Sequence, residues 1–359
     1  HHAYSELRAL GCQRKLLQRR RFWRRLLRRG RRRLRRWRRR CALGMGQLKY
    51  KLLIVAATII WGLSFVFMKD AVDVLPPAWL IGVRFMATGI ILACVFHRRL
   101  AAALTKTYLV RGGIIGVLVF LAFWTQTIGL AYTTPGKNAF LTGTYCVLVP
   151  FAWWLFARRK PTRYNLIAAV LCVAGIGLVS LQGSAGDLTL GFGDAMTLVC
   201  SVFFALHIVY VSKFTDTCDV MALTVYQFLV GGACGLIVGA CTETLPAASV
   251  ITPDFLWNMA YLVVFASCLA LVFQNVGLAH VDPAPASLLL SLESVFGVVF
   301  SVLLYGEVLS LKLVCGFALI FGAILISEML PLKSKDADVV DQAAFETETI
   351  LDDALAQME

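Results

Sequence analysis

Two ionisable side chains stand in stretches that are otherwise almost wholly apolar: Glu293 in "ASLLLSLESVFGVVFSVLLYGE" (286–307) and Arg84 in "LPPAWLIGVRF" (75–85). A charge at the centre of a membrane helix costs roughly 2.5–3.5 kcal/mol on insertion scales, and such residues mark substrate paths and proton relays. At helical rise, Arg84 lies ~9 Å below one face of a ~30 Å hydrocarbon core and Glu293 ~12 Å above the other. About 9 Å of depth then separates them. A direct ion pair would need tilt or an unwound turn, and a solvated cavity holding both charges fits equally. Arg84 has the alternative of snorkelling along its stem to the interface. Glu293 is too short for that. Its own alternative is a static structural role, satisfied by neighbouring hydroxyls or by Arg84. Its functional reading is a carboxylate whose charge or protonation changes between two states, or one that holds a substrate ammonium group.

Neutral polar residues in the same spans extend the candidate set: Trp61, Ser64, Gln126, Asn138, Thr142, Tyr145, His207, Tyr210, Gln227, Gln274 and Asn275. They either line a cavity or make interhelical hydrogen bonds, which are worth only about 0.6 kcal/mol on average in membranes. No HExxH, GxSxG or P-loop pattern occurs, the 5 histidines are too few to build a metal centre, and the 11 cysteines show no CxxC pair. The chain therefore reads as a non-enzyme without cofactor or metal, and the missing P-loop argues against direct ATP drive.

The elements that position these residues are membrane helices. Hydrophobic residues make up 59% of the chain and charged residues 16%, against about 25% charged in a soluble domain. Apolar runs fall at 51–69, 78–96, 112–132, 136–156, 164–182, 194–214, 221–241, 256–279, 285–305 and 310–330. Each is near the ~20 residues that cross a bilayer. None has the polar face of a surface helix or the alternation of a barrel strand. Pro76, Pro77, Pro135, Pro283 and Pro285 fall at span junctions, where helices start or break. Gly231, Gly235 and Gly239, and Gly112 and Gly116, form small-residue faces for close packing.

The net charge of +14 is local. Residues 1–44 hold 18 Lys/Arg and one acid, a balance of +17, and the remainder sums to −3. This Arg-rich extension reads as translation upstream of a start at Met45, or as a disordered arm for nucleic acid or anionic lipid. We assign it no function and expect no nucleic-acid partner. With the N-terminus inside, inner segments after residue 45 carry thirteen Lys/Arg and outer loops three, so both termini are expected in the cytoplasm. Residues 331–359 form an acidic tail.

The chain repeats itself. "LAFWTQTIGLAYTTP" (121–135) and "LALVFQNVGLAHVDP" (269–283) agree at seven of fifteen positions, an offset of 148 that continues through Leu141/Leu289 and Leu171/Leu319. Earlier in each half an offset of about 143 aligns "VRFMATG" (83–89) with "YQFLVGG" (226–232). Two units of five helices follow, and an odd number makes the second enter the membrane from the opposite side, the arrangement of many secondary transporters. The fold class is thus an all-α polytopic membrane protein of ten transmembrane helices in two inverted repeats, 48–182 and 193–330.

"IIWGLSFVFMK" (59–69), "LPPAWLIGVRF" (75–85), "GLAYTTPGKNAFLTGTYCVLVPF" (129–151) and "LLYGEVLSLKLVCGFALIFGAILIS" (303–327) resemble EamA-type transporters of the drug/metabolite transporter superfamily. The resemblance implies a 5+5 inverted repeat around a central cavity, and a cell-membrane exporter of amino acids, their derivatives or other metabolites. The expected partners are a small-molecule substrate, the lipid bilayer and H+ as a candidate coupling ion, in a monomer or homodimer. The competing classes are a membrane-embedded enzyme and a non-transporting channel or scaffold. Glu307, in "YGE", matches a family position, but its place at a helix end favours capping over substrate contact.

Overall fold

A computed structural model of the chain describes residues 48–157, 161–182, 189–215, 217–278, 289–327 and 330. The Arg-rich extension, the acidic tail, Pro283 and Pro285 lie outside the described residues. The described residues from Leu53 onward form one compact unit, and the packing described below lies within it.

Helices α1 (Leu48–Val72), α2 (Pro77–Val95), α3 (His97–Ala102), α4 (Lys106–Ala131), α5 (Pro135–Gly143), α6 (Tyr145–Ala157) and α7 (Arg163–Ser180) come first. Then follow α8 (Phe192–Thr215), α9 (Val220–Thr242), α10 (Pro253–Ala260), α11 (Ala270–Leu278), α12 (Leu292–Phe300) and α13 (Leu311–Ser327). A π-helix, Tyr261–Leu269, joins α10 to α11, and a π-turn, Ser301–Tyr305, extends α12. Seven helices are long and apolar enough to cross a membrane: α1, α2, α4, α7, α8, α9 and the continuous stretch Pro253–Gln274. Leu292–Tyr305 and Leu311–Ser327 are shorter apolar helices.

The structure departs from ten uniform spans, and the ninth is interrupted at Ser291 and ends in the π-turn. The expected fourth span is two helices, α5 and α6. The eighth is widened to π spacing in its middle. The fifth stops at Ser180, after which Leu181–Gln182 pairs antiparallel with Thr189–Leu190, so the fold is helical with one two-residue β pair among the described residues.

Helix starts follow local chemistry. Thr105, Thr134, Asp219 and Thr252 accept hydrogen bonds from N–H groups of the helices they precede. Pro77, Pro135 and Pro253 stand in first turns, where a missing N–H costs nothing. Leu155 (74% exposed), Val170 (70%) and Leu303 (70%) point outward, which suits hydrocarbon and not water.

Because lipid is as apolar as leucine, these helices associate through close contact at small residues. Gly82 of α2 lies against Gly235 of α9, Ala139 and Gly143 of α5 against Gly297 and Ser294 of α12, and Gly175 of α7 against Gly316 of α13. α4 meets α8 at Gly129 and Gly193. α1 meets the π-helix, where Trp61 Nε1 donates to Ala266 O (2.7 Å) and the Phe67 and Tyr261 rings lie 4.4 Å apart.

Two glutamates lock helix starts across these pairs. The Glu243 carboxylate, at the end of α9, accepts from Ala78 N (3.0 Å) and Trp79 N (3.1 Å) at the start of α2. Glu307, just past the π-turn that extends α12, accepts from Thr134 Oγ1 and Gly136 N (3.0 Å) at the start of α5 and from Ser301 Oγ (2.5 Å) at the end of its own helix. Glu307 is therefore a cap, as its helix-end position suggested. Glu307→Ala leaves buried donors without an acceptor, at about 1–3 kcal/mol. Thermal unfolding in detergent should show a clearly lowered midpoint, with a smaller drop for Glu307→Gln; an unchanged midpoint for Glu307→Ala would contradict this capping role.

Candidate functional site

Between α5 and α6 the chain makes a tight turn at Thr144. Thr144 N bonds Leu141 O (3.2 Å) and Val147 N bonds Thr144 O (3.0 Å), three-residue spacings in place of the four-residue spacing of an α-helix. Pro150 in α6 withholds a further N–H. The second kink falls at Ser291, the cap residue of α12. The repeat offset of 148 pairs Gly143 with Ser291, so both interruptions occupy equivalent places in the two halves. These two kinked elements cross each other. A Cβ at Gly143 would sit 2.3 Å from Ser294 Oγ, and Ser294 Oγ donates to Ala139 O (3.1 Å).

Glu293 stands at this crossing. It is half-buried in the first turn of α12. Ala139, Thr142, Tyr145, Cys146 and Ser291 line with it a pocket of about 10 Å³, roughly the space of one water.

A polar seam of α4, α5 and α8 backs the pocket. Gln126 Nε2 donates to Thr142 Oγ1 (3.0 Å), and Asn138 Nδ2 to Gln126 O (3.2 Å) and Thr197 Oγ1 (2.8 Å). Ser201 Oγ donates to Leu141 O (2.8 Å). Asn138 Oδ1 is buried without a partner among the described residues.

Arg84 occupies a different setting. It is 3% exposed and does not snorkel. Its Nε donates to Ser267 Oγ (3.0 Å), and its guanidinium carbon lies 5.3 Å from the Phe123 ring centroid and 5.8 Å from that of Phe85. Ser267 in turn donates to Leu262 O (2.9 Å), five residues back, the spacing of the π-helix that carries it. The ion pairs among the described residues are Arg99–Asp219 (3.1 Å) and Lys137–Asp194 (2.7 Å); Arg84 and Glu293 form none.

The other candidates divide. His207 Nε2 and Gln227 Oε1 are hydrogen-bonded at 3.1 Å. Gln227 is the repeat partner of Arg84, so the equivalent positions hold a cation in one half and an amide in the other. Ser64 donates to Trp61 O within its own helix (2.7 Å), and Trp61 is engaged with Ala266. Tyr145 packs beside Phe204 (5.9 Å) and Tyr210 beside Phe214 (5.6 Å). Gln274 is half-buried on α11, and the Asn275 side chain lies outside the described residues. The structure thus joins Gln126, Asn138, Thr142, Tyr145 and Glu293 around one crossing, while the Phe123 and Phe204 rings stand between the Arg84 guanidinium and Tyr145. Sequence reasoning passed over Ser267, Ser291 and Ser294; a hydroxyl inside an apolar run was their only signal.

At the end where α1 finishes and α5 begins, a groove of about 430 Å³ is lined by Lys69, Tyr132, Thr133, Thr134 and Lys137. Lys69 Nζ donates to Leu130 O (2.8 Å) and Ala131 O (3.0 Å) at the end of α4, where a cation complements the helix dipole.

The EamA-like transporter family matches this sequence twice, at residues 48–181 and 191–329. An uncharacterized transporter of Archaeoglobus fulgidus is 29% identical over 277 residues, 75% of this chain and 82% of the relative. The uncharacterized transporter YvbV of Bacillus subtilis is 27% identical over 74% of this chain and 87% of its own. The uncharacterized inner membrane transporter YedA of Escherichia coli K12 is 26% identical over 72% and 83%. A solved crystal structure covers 79% of this chain and 97% of its own with a TM-score of 0.53 at 17% identity, a likeness of fold.

Proposed function

The chain belongs to the EamA-like transporter family, a multi-pass membrane protein, and from that premise we propose that it is a secondary transporter exporting a small metabolite, such as an amino acid or derivative, by alternating access. The observation that carries this reading is Glu293 at the crossing of two kinked elements in equivalent places of the two halves. Interrupted helices meeting at the repeat interface are where such transporters bind substrate and coupling ion. Proton movement through Glu293 is the coupling we infer.

In this reading the membrane part is ten helices in two inverted repeats, 48–182 and 193–330, with both termini cytoplasmic. The contacts support it. Exchanging the halves turns the α1–π-helix contact into the α4–α8 contact, and maps α2–α9, α5–α12 and α7–α13 each onto itself. A cysteine at Arg163, before the fifth span, should be shielded from an impermeant thiol reagent in intact cells lacking the other cysteines. A cysteine at Val308, which is 87% exposed, should be labelled. Both on one side, or the reverse pattern, would contradict the inverted arrangement. Transport itself is tested in proteoliposomes preloaded in turn with each proteinogenic amino acid. Counterflow of at least one labelled amino acid above protein-free liposomes is expected; no counterflow with any would overturn the amino-acid reading.

A further inference from the structure

Arg84 is a cation placed deep in an apolar core with no acidic partner among the described residues. Met68 and Phe85, both members of one buried apolar cluster, touch it. A buried charge is tolerated where it is paired or carries function. Here the protein supplies only neutral contacts: the Ser267 hydroxyl at Nε, the Met68 sulfur 3.8 Å from Nη1, and the Phe85 and Phe123 rings.

Those contacts restrain the group without neutralising it. Ser267 fixes the Nε edge of the plane, and the flanking rings limit its rotation. Met68 Sδ is a weak acceptor at Nη1, which leaves donors of the Nη edge unmatched among the described residues. Ser267 is itself held by the π-helix, an irregularity that recurs at functional sites. Trp61 and Tyr261 tie the same segment to α1, through Ala266 O (2.7 Å) and Ile60 O (2.9 Å). Four elements therefore build this surrounding, α1, α2, α4 and the π-helix, and a planar donor fork of this kind matches a carboxylate bidentately.

We propose that Arg84 is the anion-docking residue of the transport path, and that the substrate carries a carboxylate which pairs with its Nη edge. This rests on the transporter reading above and narrows it. Neutral and purely cationic metabolites leave the guanidinium unpaired and are poor substrates. Glu293, in its separate pocket, is left to proton coupling rather than to pairing with Arg84.

The test is binding, which does not require transport. Purified full-length protein in detergent is titrated with sodium benzoate and L-leucine, against benzamide, L-leucinamide and inorganic phosphate, following thermal unfolding. A concentration-dependent rise of the midpoint with at least one carboxylate is expected, at least tenfold stronger than with its amide. That preference should vanish in Arg84→Gln, and Arg84→Lys should bind the same carboxylate more weakly than wild type. Equal stabilisation by acid and amide, stabilisation by phosphate alone, or no response to either carboxylate would overturn the proposal. So would an unchanged preference in Arg84→Gln. If that variant does not fold, the wild-type comparison of acid with amide and the Arg84→Lys titration still decide. Carboxylate binding without any transport would overturn the transporter reading and leave the docking role standing.

Discussion

Glu293→Gln is expected to fold and insert as the wild type does and to exchange substrate at least about tenfold more slowly, the effect of about 1.4 kcal/mol on a barrier. Glutamine nearly matches glutamate in shape and keeps a carbonyl in the pocket formed by Thr142, Tyr145 and Ser291. It cannot release a proton, so it imitates the protonated carboxyl at every pH. If proton movement through Glu293 biases one facing state over the other, the wild-type rate varies with pH and the variant's does not. Both proteins are compared at matched amounts in proteoliposomes across pH 5–9. Two curves of the same height and shape would make Glu293 structural and move the site to Gln126, Asn138 and Thr142.

Gly235→Ala should remove most of the folded protein. A Cβ there would stand 2.6 Å from both Cα and N of Gly82, and one at Gly82 would meet Leu236 N at 2.6 Å. Those neighbours are backbone, which cannot rotate away, so α2 and α9 must move apart along their contact. Overpacking of this sort costs about 1–3 kcal/mol or more, and the small-residue contact that drives association is lost with it. Gly113→Ala and Gly322→Ala are the controls, since an added Cβ at either meets nothing within 4 Å. The measurement is the monodisperse fraction in detergent by size-exclusion chromatography. A Gly235→Ala profile matching that of Gly113→Ala would show that the crossing is not close-packed in solution.

Much of the architecture is legible because a membrane helix declares itself by length and apolarity alone. The runs at 51–69, 78–96 and 194–214 became α1, α2 and α8 with little change. The kinks were less visible. Gly143 and Pro150 hint at the first, but "LSLES" around Ser291 has neither glycine nor proline, and only its alignment with Gly143 in the other repeat marks the second. The π-helix is the harder case, since "YLVVFASCL" satisfies an ordinary helix pattern equally well. Its wider spacing accompanies tertiary bonds from Trp61 and Arg84, the latter separated from Ser267 by 183 residues. Arg84 and Glu293 were recognisable as costly charges, whereas the absence of an ion pair between them among the described residues was not. Depth along two spans leaves open whether those spans face one another.

Alternating access requires that the pocket at the crossing open to both sides of the membrane. Cys146, which lines that pocket and is 7% exposed, is a built-in probe once the other cysteines are replaced. A membrane-impermeant thiol reagent is applied to intact cells and, separately, to inside-out vesicles, and Cys146 modification is followed by mass spectrometry. Alternating access predicts modification from each side and, when Glu293→Gln biases the protein toward one facing state, slower modification from one side only. Modification from one side only, or from neither, would contradict it.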